Sequence, residues 1–380
     1  MAVKNKKVLI SGCFDLLHGG HIAFFKTAAV YGKVYVSIGR DENLFSLKGK
    51  KPYFSEDERL YIVKSVRYVE DAFLASGSGM LDFEPDLRRI KPDFFIVNQD
   101  GHTPEKEKLC KELGIEYILL DRTPEPGLPA RSSSGTKRYM RFPYRLCIAG
   151  GWIDQPWVSE IHSGSVVVAQ IWPTMDFNDR SGLATSSRSV GIKLWGDRYP
   201  DGDHEQNARM LFGAENPPGK EYISGSQDHI GLLYPGISRL DYNGKYWPAR
   251  IESIVVEETC DWLSDVIHLV PLEPRPQGYD PLKIMNLEKT VVKELGEAGE
   301  RCWEAVIKKD IAMLGKSMTD TLLSWKKMLP LTVPDWVMKE LETNYLPYYP
   351  GAITSGSGGG YMMVASEKAV PGAINIKVRC

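Results

Sequence analysis

The sequence has no Cys-x-x-Cys pair and no histidine spacing suited to zinc: its six cysteines, Cys13, Cys110, Cys147, Cys260, Cys302 and Cys380, are scattered over 380 residues. That pattern excludes the common structural zinc modules. No run approaches the roughly 20 apolar residues of a membrane span, and residues 1–7 are basic without the apolar core of a signal peptide. The expected location is the cytoplasm, with the cysteines present as reduced thiols that pack. An excess of one charge is missing too. A net charge of −2 gives no global attraction to nucleic acid or to an anionic membrane, so any phosphate site must be local. Internal repeats, coiled-coil heptads and low-complexity tails are also absent. What remains is an ordinary globular composition, 43% hydrophobic and 25% charged, in a chain long enough for two or three domains.

Against that plain background one segment stands out. Residues 8–10 form a short apolar run of strand type, Gly12 suits a turn, and helical spacing resumes at residues 22–30. His18-Gly19-Gly20-His21 lies at the junction. A strand-loop-helix corner of this kind exposes the first backbone N–H groups of the helix, and the helix dipole adds partial positive charge there. Two imidazoles three positions apart can both face one bound phosphate. Downstream, strand patterns at residues 34–38, 68–74, 94–97 and 117–120 alternate with helical patterns near 56–66, 80–90 and 104–113. Ser55 is placed as an N-cap with Glu58 at the third helical position. The alternation predicts a doubly wound parallel sheet, with its ligand site outside the carboxyl ends of the strands at a switch point.

The run from Phe14 to His21 resembles the His-x-Gly-His motif of the nucleotidylyltransferase superfamily, in the cytidylyltransferase-like branch of glycerol-3-phosphate and heptose-phosphate nucleotidylyltransferases. Lys48-Gly49 before Pro52 resembles that family's mobile triphosphate-binding lysine. Glu58-Arg59 resembles the start of its conserved helix, and the run from Arg131 to Lys137 its closing motif. The likeness implies a Rossmann-like nucleotidylyltransferase domain that uses CTP or ATP and brings Mg²⁺ with the triphosphate, although no protein carboxylate is named as a metal ligand. By the same likeness His18 and His21 serve the α-phosphate and the leaving oxygen, Lys48 and Arg131 the triphosphate, and Ser132, Ser133 and Ser134 the phosphate oxygens at a helix start. Gly12, Phe14, Asp15, Gly20 and Arg59 complete the implied nucleotide site. Lys48 stands among other loop lysines, so its assignment rests on the likeness.

The composition changes after residue 138. All nine tryptophans lie beyond residue 150, the strand-helix alternation is lost, and two domains are expected over residues 1–138 and 139–380. The second carries three glycine- or serine-rich signals. An apolar strand from Arg145 ends at Gly150-Gly151, with Asp154 just beyond; the run from Ser181 to Arg188 reads as a phosphate loop opening a helix; and a glycine turn around Gly356, Gly358 and Gly359 separates two expected strands. In this order they resemble the three motifs of the GHMP kinases, an α+β fold, and above all the heptose-phosphate kinase branch. Gly225-Ser226-Gln227-Asp228 is similar to a further motif of that branch. The likeness makes Asp228 a general base, sets Arg145 and Asp154 near the substrate, and sets Gly182, Thr185 and Ser186 at the ATP phosphates. Two departures weaken it. Arg180 and Ala184 stand where the family has glycine, and Gly182 follows Asp154 by only 28 positions, which implies a shortened N-terminal lobe. Amphipathic helices are expected between residues 281 and 346. Two readings follow. One is a bifunctional enzyme of nucleotide-sugar biosynthesis; the other is a single nucleotidylyltransferase whose C-terminal half is a degenerate sugar-phosphate-binding or dimerisation module.

Overall fold

The computed structural model describes residues 5–49, 51–177, 181–273 and 279–380, leaving aside the side chains of residues 134, 135, 138 and 139. The chain separates into two compact units, Met1–Arg138 and Tyr139–Cys380. Among the described residues no helix is long and apolar enough to cross a membrane.

The first unit is built on β1 (Lys7–Gly12), β2 (Lys33–Ile38), β3 (Asp71–Leu74), β4 (Phe94–Asn98) and β5 (Glu116–Leu120). These form one sheet in the order β3-β2-β1-β4-β5, with every pairing parallel. Alternation within β1 explains the layering. Val8 and Ile10 enter the core under α1 (Gly19–Ala28) and α3 (Glu56–Lys64), whereas Leu9 enters the opposite core under α4 (Glu84–Ile90) and α5 (Pro104–Leu113). A strand buried on both faces is what a parallel sheet between helix layers requires. The sheet reverses its winding at β1, between β2 and β4, and this places the β1–α1 corner at the switch point. The sequence expects β3 from residue 68, but it begins at Asp71, because Val66 and Val69 are drawn into turns that close α3. Helix α4 starts at Glu84 rather than near 80, after a short 3₁₀ turn at Gly79–Leu81. Ser55 caps α3, its side chain accepting from the Glu58 N–H at 3.3 Å. Helix α2 (Asp41–Lys48) and helix α6 (Ser133–Met140) complete the unit's elements.

The second unit has two antiparallel four-stranded sheets. One orders β6 (Tyr144–Ala149), β7 (Gly164–Ile171), β8 (Ile237–Tyr242) and β9 (Arg250–Ile254) in sequence. The other runs β11-β12-β10-β13, with β10 at Ile267–Pro271, β11 at Gly351–Thr354, β12 at Tyr361–Ala365 and β13 at Ile374–Asn375. The glycine turn expected between two strands joins β11 to β12. Helices α7 (Pro156–Ser159), α8 (Thr185–Trp195), α9 (His204–Glu215), α10 (Gln227–Leu233) and α11 (Glu257–Val266) lie between strands, and the amphipathic stretch forms α12 (Lys289–Lys308), α13 (Ile311–Met328) and α14 (Asp335–Glu340). Among the described residues only α7 and β7 separate β6 from the residue 181 loop. The expectation of six free thiols fails at one pair. Cys260 on α11 and Cys380 form a disulfide across 120 positions, because the tail returns along β7, where the Arg379 N–H donates to Gln170 O and the Gly236 N–H to Arg379 O. Cys13, Cys110, Cys147 and Cys302 remain free.

Candidate active sites

The β1–α1 corner is held in a strained loop. Phe14 and Leu16 adopt φ values of 50° and 51°, a region that costs a non-glycine residue about 1–2 kcal/mol. Packing over-determines it: the Phe14 ring lies 5.1 Å from Phe25 and 5.6 Å from His21. Asp15, 2% exposed, accepts from the Tyr53 and Phe54 N–H groups at 2.7 and 3.0 Å and pairs with Lys137 at 2.5 Å. Burial alone would raise its pKa, but these bonds outweigh it and hold the carboxyl below its ordinary range. Asp15 is therefore a clamp on the 53–54 segment, and its carboxylate is already saturated.

The loop delivers His18 as the N-cap of α1. Its Nδ1 accepts from the Gly20 N–H at 3.1 Å, and His21 Nδ1 accepts from the His18 N–H at 3.4 Å. The rings stack at 4.0 Å. A ring whose Nδ1 accepts from a backbone N–H is neutral and carries its proton on Nε2. Both pKa values agree. Burial first, then Arg122 and Arg131, lower His18; burial, then His18 and Arg122, lower His21 from 6.5 to about 3. The corner thus offers two Nε2–H donors at neutral pH. His18 Nε2 lies 3.5 Å from Ser133 Oγ at the first residue of α6, and Ser133 Oγ donates to Asp15 O at 3.1 Å. The amino ends of α1 and α6 therefore meet at the histidines, which is an anion-favouring arrangement. A Cβ on Gly20 would stand 3.0 Å from the His18 ring and 3.3 Å from Arg131 O, so glycine there sets the spacing between α1 and the 131 segment.

Folding depresses both histidine pKa values, so the unfolded chain takes up protons first as pH falls. The stabilisation from these neutral rings is present above about 6.5 and is lost as pH drops below it. Thermal unfolding of the wild type should show a lower Tm at pH 5 than at pH 7.5, and the drop should shrink in a His18→Asn/His21→Asn double variant. An unchanged pH slope in that variant would refute the assignment.

The other first-domain residues divide into exposed and internal groups. Arg131 is exposed, and Lys48 is exposed at the end of α2. The Ser132 carbonyl accepts from the Thr136 N–H at 2.9 Å in the first turn of α6. The side chain of Ser134 lies outside the described residues. Gly12 faces the Phe14 ring, which a Cβ would approach to 2.9 Å. Arg59 corrects its expected role. It is fully buried and donates to Cys13 O at 2.7 Å, Gly39 O at 2.9 Å, Phe54 O at 3.2 Å and Asp41 Oδ1 at 2.6 Å. Its guanidinium binds the strand ends to α2 and α3 rather than a nucleotide. Arg59→Ala should cost about 2–3 kcal/mol in denaturant unfolding, because it strands three carbonyls and one carboxylate, the last partly solvated. Arg122, in the Arg122-Thr123 pair that resembles the start of the family's closing segment but not among the expected site residues, donates to Arg131 O at 2.6 Å and pairs with Asp100 at 3.1 Å. Its field reaches both histidines.

In the second domain the separated motifs converge on one cavity of about 850 Å³, lined among others by Arg145, Asp154, Gly182, Thr185, Asp228 and Gly356. Gly151 and Ser186 also reach it. Gly182 has φ 77°, and a Cβ would stand 2.6 Å from the Gly356 backbone; glycine at 182 therefore permits the close approach of the phosphate-loop candidate to the β11–β12 turn, where Ser355 Oγ also donates to Ser181 O. Ala184 takes φ 57° as the residue before α8, so it holds at some strain the conformation a glycine takes freely. Arg180 lies outside the described residues. Arg145 and Asp228 form an ion pair. Asp154, 2% exposed, accepts from Gln227 Nε2 at 3.1 Å and from the Gln227 N–H at 3.4 Å, and burial raises its pKa to about 6. Three expected residues lie off the lining. Gly150 packs under the Ser165 carbonyl, Gly358 against the Tyr279 ring, and Gly359 near Glu273 O. Unforeseen are Glu215, bonded to buried His229 at 2.8 Å, and Gln155, Glu221, Tyr222 and Asp280 on the walls.

Comparison with known proteins places the first domain in a family. Residues 9–136 match the family model described as cytidylyltransferase-like. A protein named FAD synthase from Methanosarcina acetivorans is 38% identical over 126 residues, covering 33% of this chain and 73% of that protein. Its namesake from Pyrococcus horikoshii is 30% identical over 118 residues, covering 30% and 78%. Among solved structures, a lipopolysaccharide core biosynthesis protein from Thermoplasma volcanium GSS1 is 28% identical, covers 32% of this chain and 98% of its own, and gives a TM-score of 0.28. A D-glycero-D-manno-heptose 1-phosphate kinase from Bacteriodes thetaiotaomicron is 13% identical over 62% of this chain and 94% of its own, with a TM-score of 0.41. Through the domain that carries His18 and His21, the chain belongs to the cytidylyltransferase-like family of nucleotidylyltransferases.

Proposed function

We propose that the first domain transfers a nucleoside monophosphate from CTP or ATP to a phosphorylated sugar or polyol, and that the second phosphorylates a sugar hydroxyl with ATP, so that one chain performs two steps of sugar activation. The observation that carries the first half is the pair of neutral imidazoles, each fixed through Nδ1 and left with an Nε2–H donor, at the meeting of two helix starts. An acceptor phosphate oxygen attacks the α-phosphorus of the triphosphate. The new oxygen–phosphorus bond forms as the bond to the β-phosphate oxygen breaks, and pyrophosphate leaves. Negative charge grows on the equatorial and leaving oxygens, where His18 and His21 donate without needing to change protonation. Lys48, Arg122 and Arg131 supply positive charge for the triphosphate, and catalysis is positioning plus electrostatics. The relatives named for making FAD, a dinucleotide, support nucleotidylyl transfer and favour ATP as donor.

Among the described residues no three or more His, Cys, Asp or Glu side chains are grouped to hold a metal, and Asp15 is spent on Lys137, Tyr53 and Phe54. The residues do not make a Mg²⁺ cage of their own, and no step here runs through one. In the second domain Asp228, paired with Arg145, accepts the proton of the attacking hydroxyl. Tethering raises the effective concentration of the intermediate the two sites share. The test follows pyrophosphate from CTP or ATP with a panel of sugar and polyol phosphates, and ADP from ATP with a panel of free sugars. Pyrophosphate without ADP would support the alternative in which the second half binds or assembles; ADP without pyrophosphate would remove the first-domain reading.

A further inference from the structure

The second-domain cavity is far from electrically even. Segments 145–155 and 215–228 bring Asp154, Glu215, Glu221 and Asp228 to its walls, and Asp280 adds a fifth carboxylate. Arg145 is the one cation among the described lining residues, and Asp228 already takes its charge. The nearby Lys220 offsets only part of that excess: its ammonium donates to three neutral acceptors, Glu215 O at 2.7 Å, Asn216 Oδ1 at 3.2 Å and Ser224 Oγ at 3.4 Å, and keeps its positive charge, which leaves the carboxylates in the majority. Among the described lining residues, positive potential for phosphate beyond Arg145 comes from the start of α8, at Thr185 and Ser186. A second phosphate, borne by the sugar, would face carboxylates in a partly desolvated cleft, where like charges are least screened.

The same walls suit hydroxyl groups. Carboxylates accept from them, while Gln155, Tyr222 and Ser224 can donate or accept, and Trp152 and Trp325 add apolar faces. We infer that this cavity selects a neutral, polyhydroxylated sugar over its phosphorylated form. The inference rests on the kinase reading above and orders the two steps: the second domain places the first phosphate, and the resulting sugar phosphate is what the first domain consumes. Phosphorylation writes atoms plainly. The sugar oxygen bonds to the γ-phosphorus, the bond from that phosphorus to the β-phosphate oxygen breaks to give ADP, and the hydroxyl proton passes to Asp228.

Tryptophan emission tests this in the full chain, because every tryptophan lies in the second domain and Trp152 and Trp325 line the cavity. The titrants are D-mannose, D-glycero-D-manno-heptose and the 1- and 7-phosphates of the heptose, at low and high NaCl. Free heptose or mannose should saturate the signal, and the phosphates should bind at least about tenfold more weakly at low salt. Added salt should narrow that gap, as should Glu221→Lys. Phosphates that bind as tightly as the free sugars would overturn the selectivity and leave the kinase reading standing. No response to any sugar or sugar phosphate would overturn both.

Discussion

Replacing His18 or His21 by alanine should lower the rate of pyrophosphate release by about 10²–10³-fold, the usual loss when one preorganised donor to a developing oxyanion is removed. His18 also caps α1 through Nδ1, so alanine there mixes a capping loss of about 1 kcal/mol with the catalytic one. Asparagine separates them. Its side-chain oxygen can take the Gly20 N–H as Nδ1 does, but nothing replaces the Nε2–H, so His18→Asn should keep the wild-type Tm and lose activity as the alanine variant does. The two losses should not add. The rings stack at 4.0 Å and His21 accepts from the His18 N–H, so the pair works as one unit and the double variant should be little worse than either single one. His21 is depressed to about 3 and His18 is lowered from its ordinary value, so these rings should impose no loss of rate between about pH 7 and 9, where neutral donors persist. Steady-state pyrophosphate assays with circular dichroism of each variant decide the matter; His18→Asn within threefold of wild type would remove the donor role.

How much of this could be read from the chain depends on whether a residue's partner is local. The His18–His21 corner was legible because its chemistry follows from residues 8–21 alone: an apolar strand, a turn and a helix start. The parallel sheet was equally legible, since alternating strand and helix patterns leave few topologies. Arg59 was not. A buried arginine and a phosphate-binding arginine look alike in sequence, and only folding shows that Cys13 O, Gly39 O and Phe54 O surround this one. The Cys260–Cys380 bond joins positions 120 apart, which spacing cannot predict. In the second domain the motifs named the lining at Asp154, Gly182 and Asp228, whereas Glu215, Glu221 and Asp280 carry no motif and entered through packing alone. Those carboxylates decide the sign of the cavity. Motifs thus picked out residues that the fold brings to one cavity, and residues outside them set its charge.

Asp228→Asn should cut ADP formation by about 10²–10⁴-fold, the range for loss of a general base, while pyrophosphate release stays at the wild-type rate because everything that reaction uses lies before residue 138. The substitution has a second effect. Arg145 is 4% exposed, and removing the charge of its partner leaves a buried cation uncompensated, though Asp228 itself keeps some solvent contact. A cost of about 1–2 kcal/mol is expected after that discount, read as a lower midpoint in thermal unfolding. Lost turnover and lost stability must therefore be told apart. Adding Arg145→Met removes the stranded charge, so Asp228→Asn/Arg145→Met should regain the wild-type midpoint and remain inactive as a kinase. If ADP formation returned with the midpoint, Asp228 would be a structural partner of Arg145 and the proton would have another acceptor, such as Asp154, which is bonded to the neighbouring Gln227. If the wild type formed no ADP with any free sugar, the ion pair would be only a buried fastening between β6 and α10, and the second domain a module for binding or assembly.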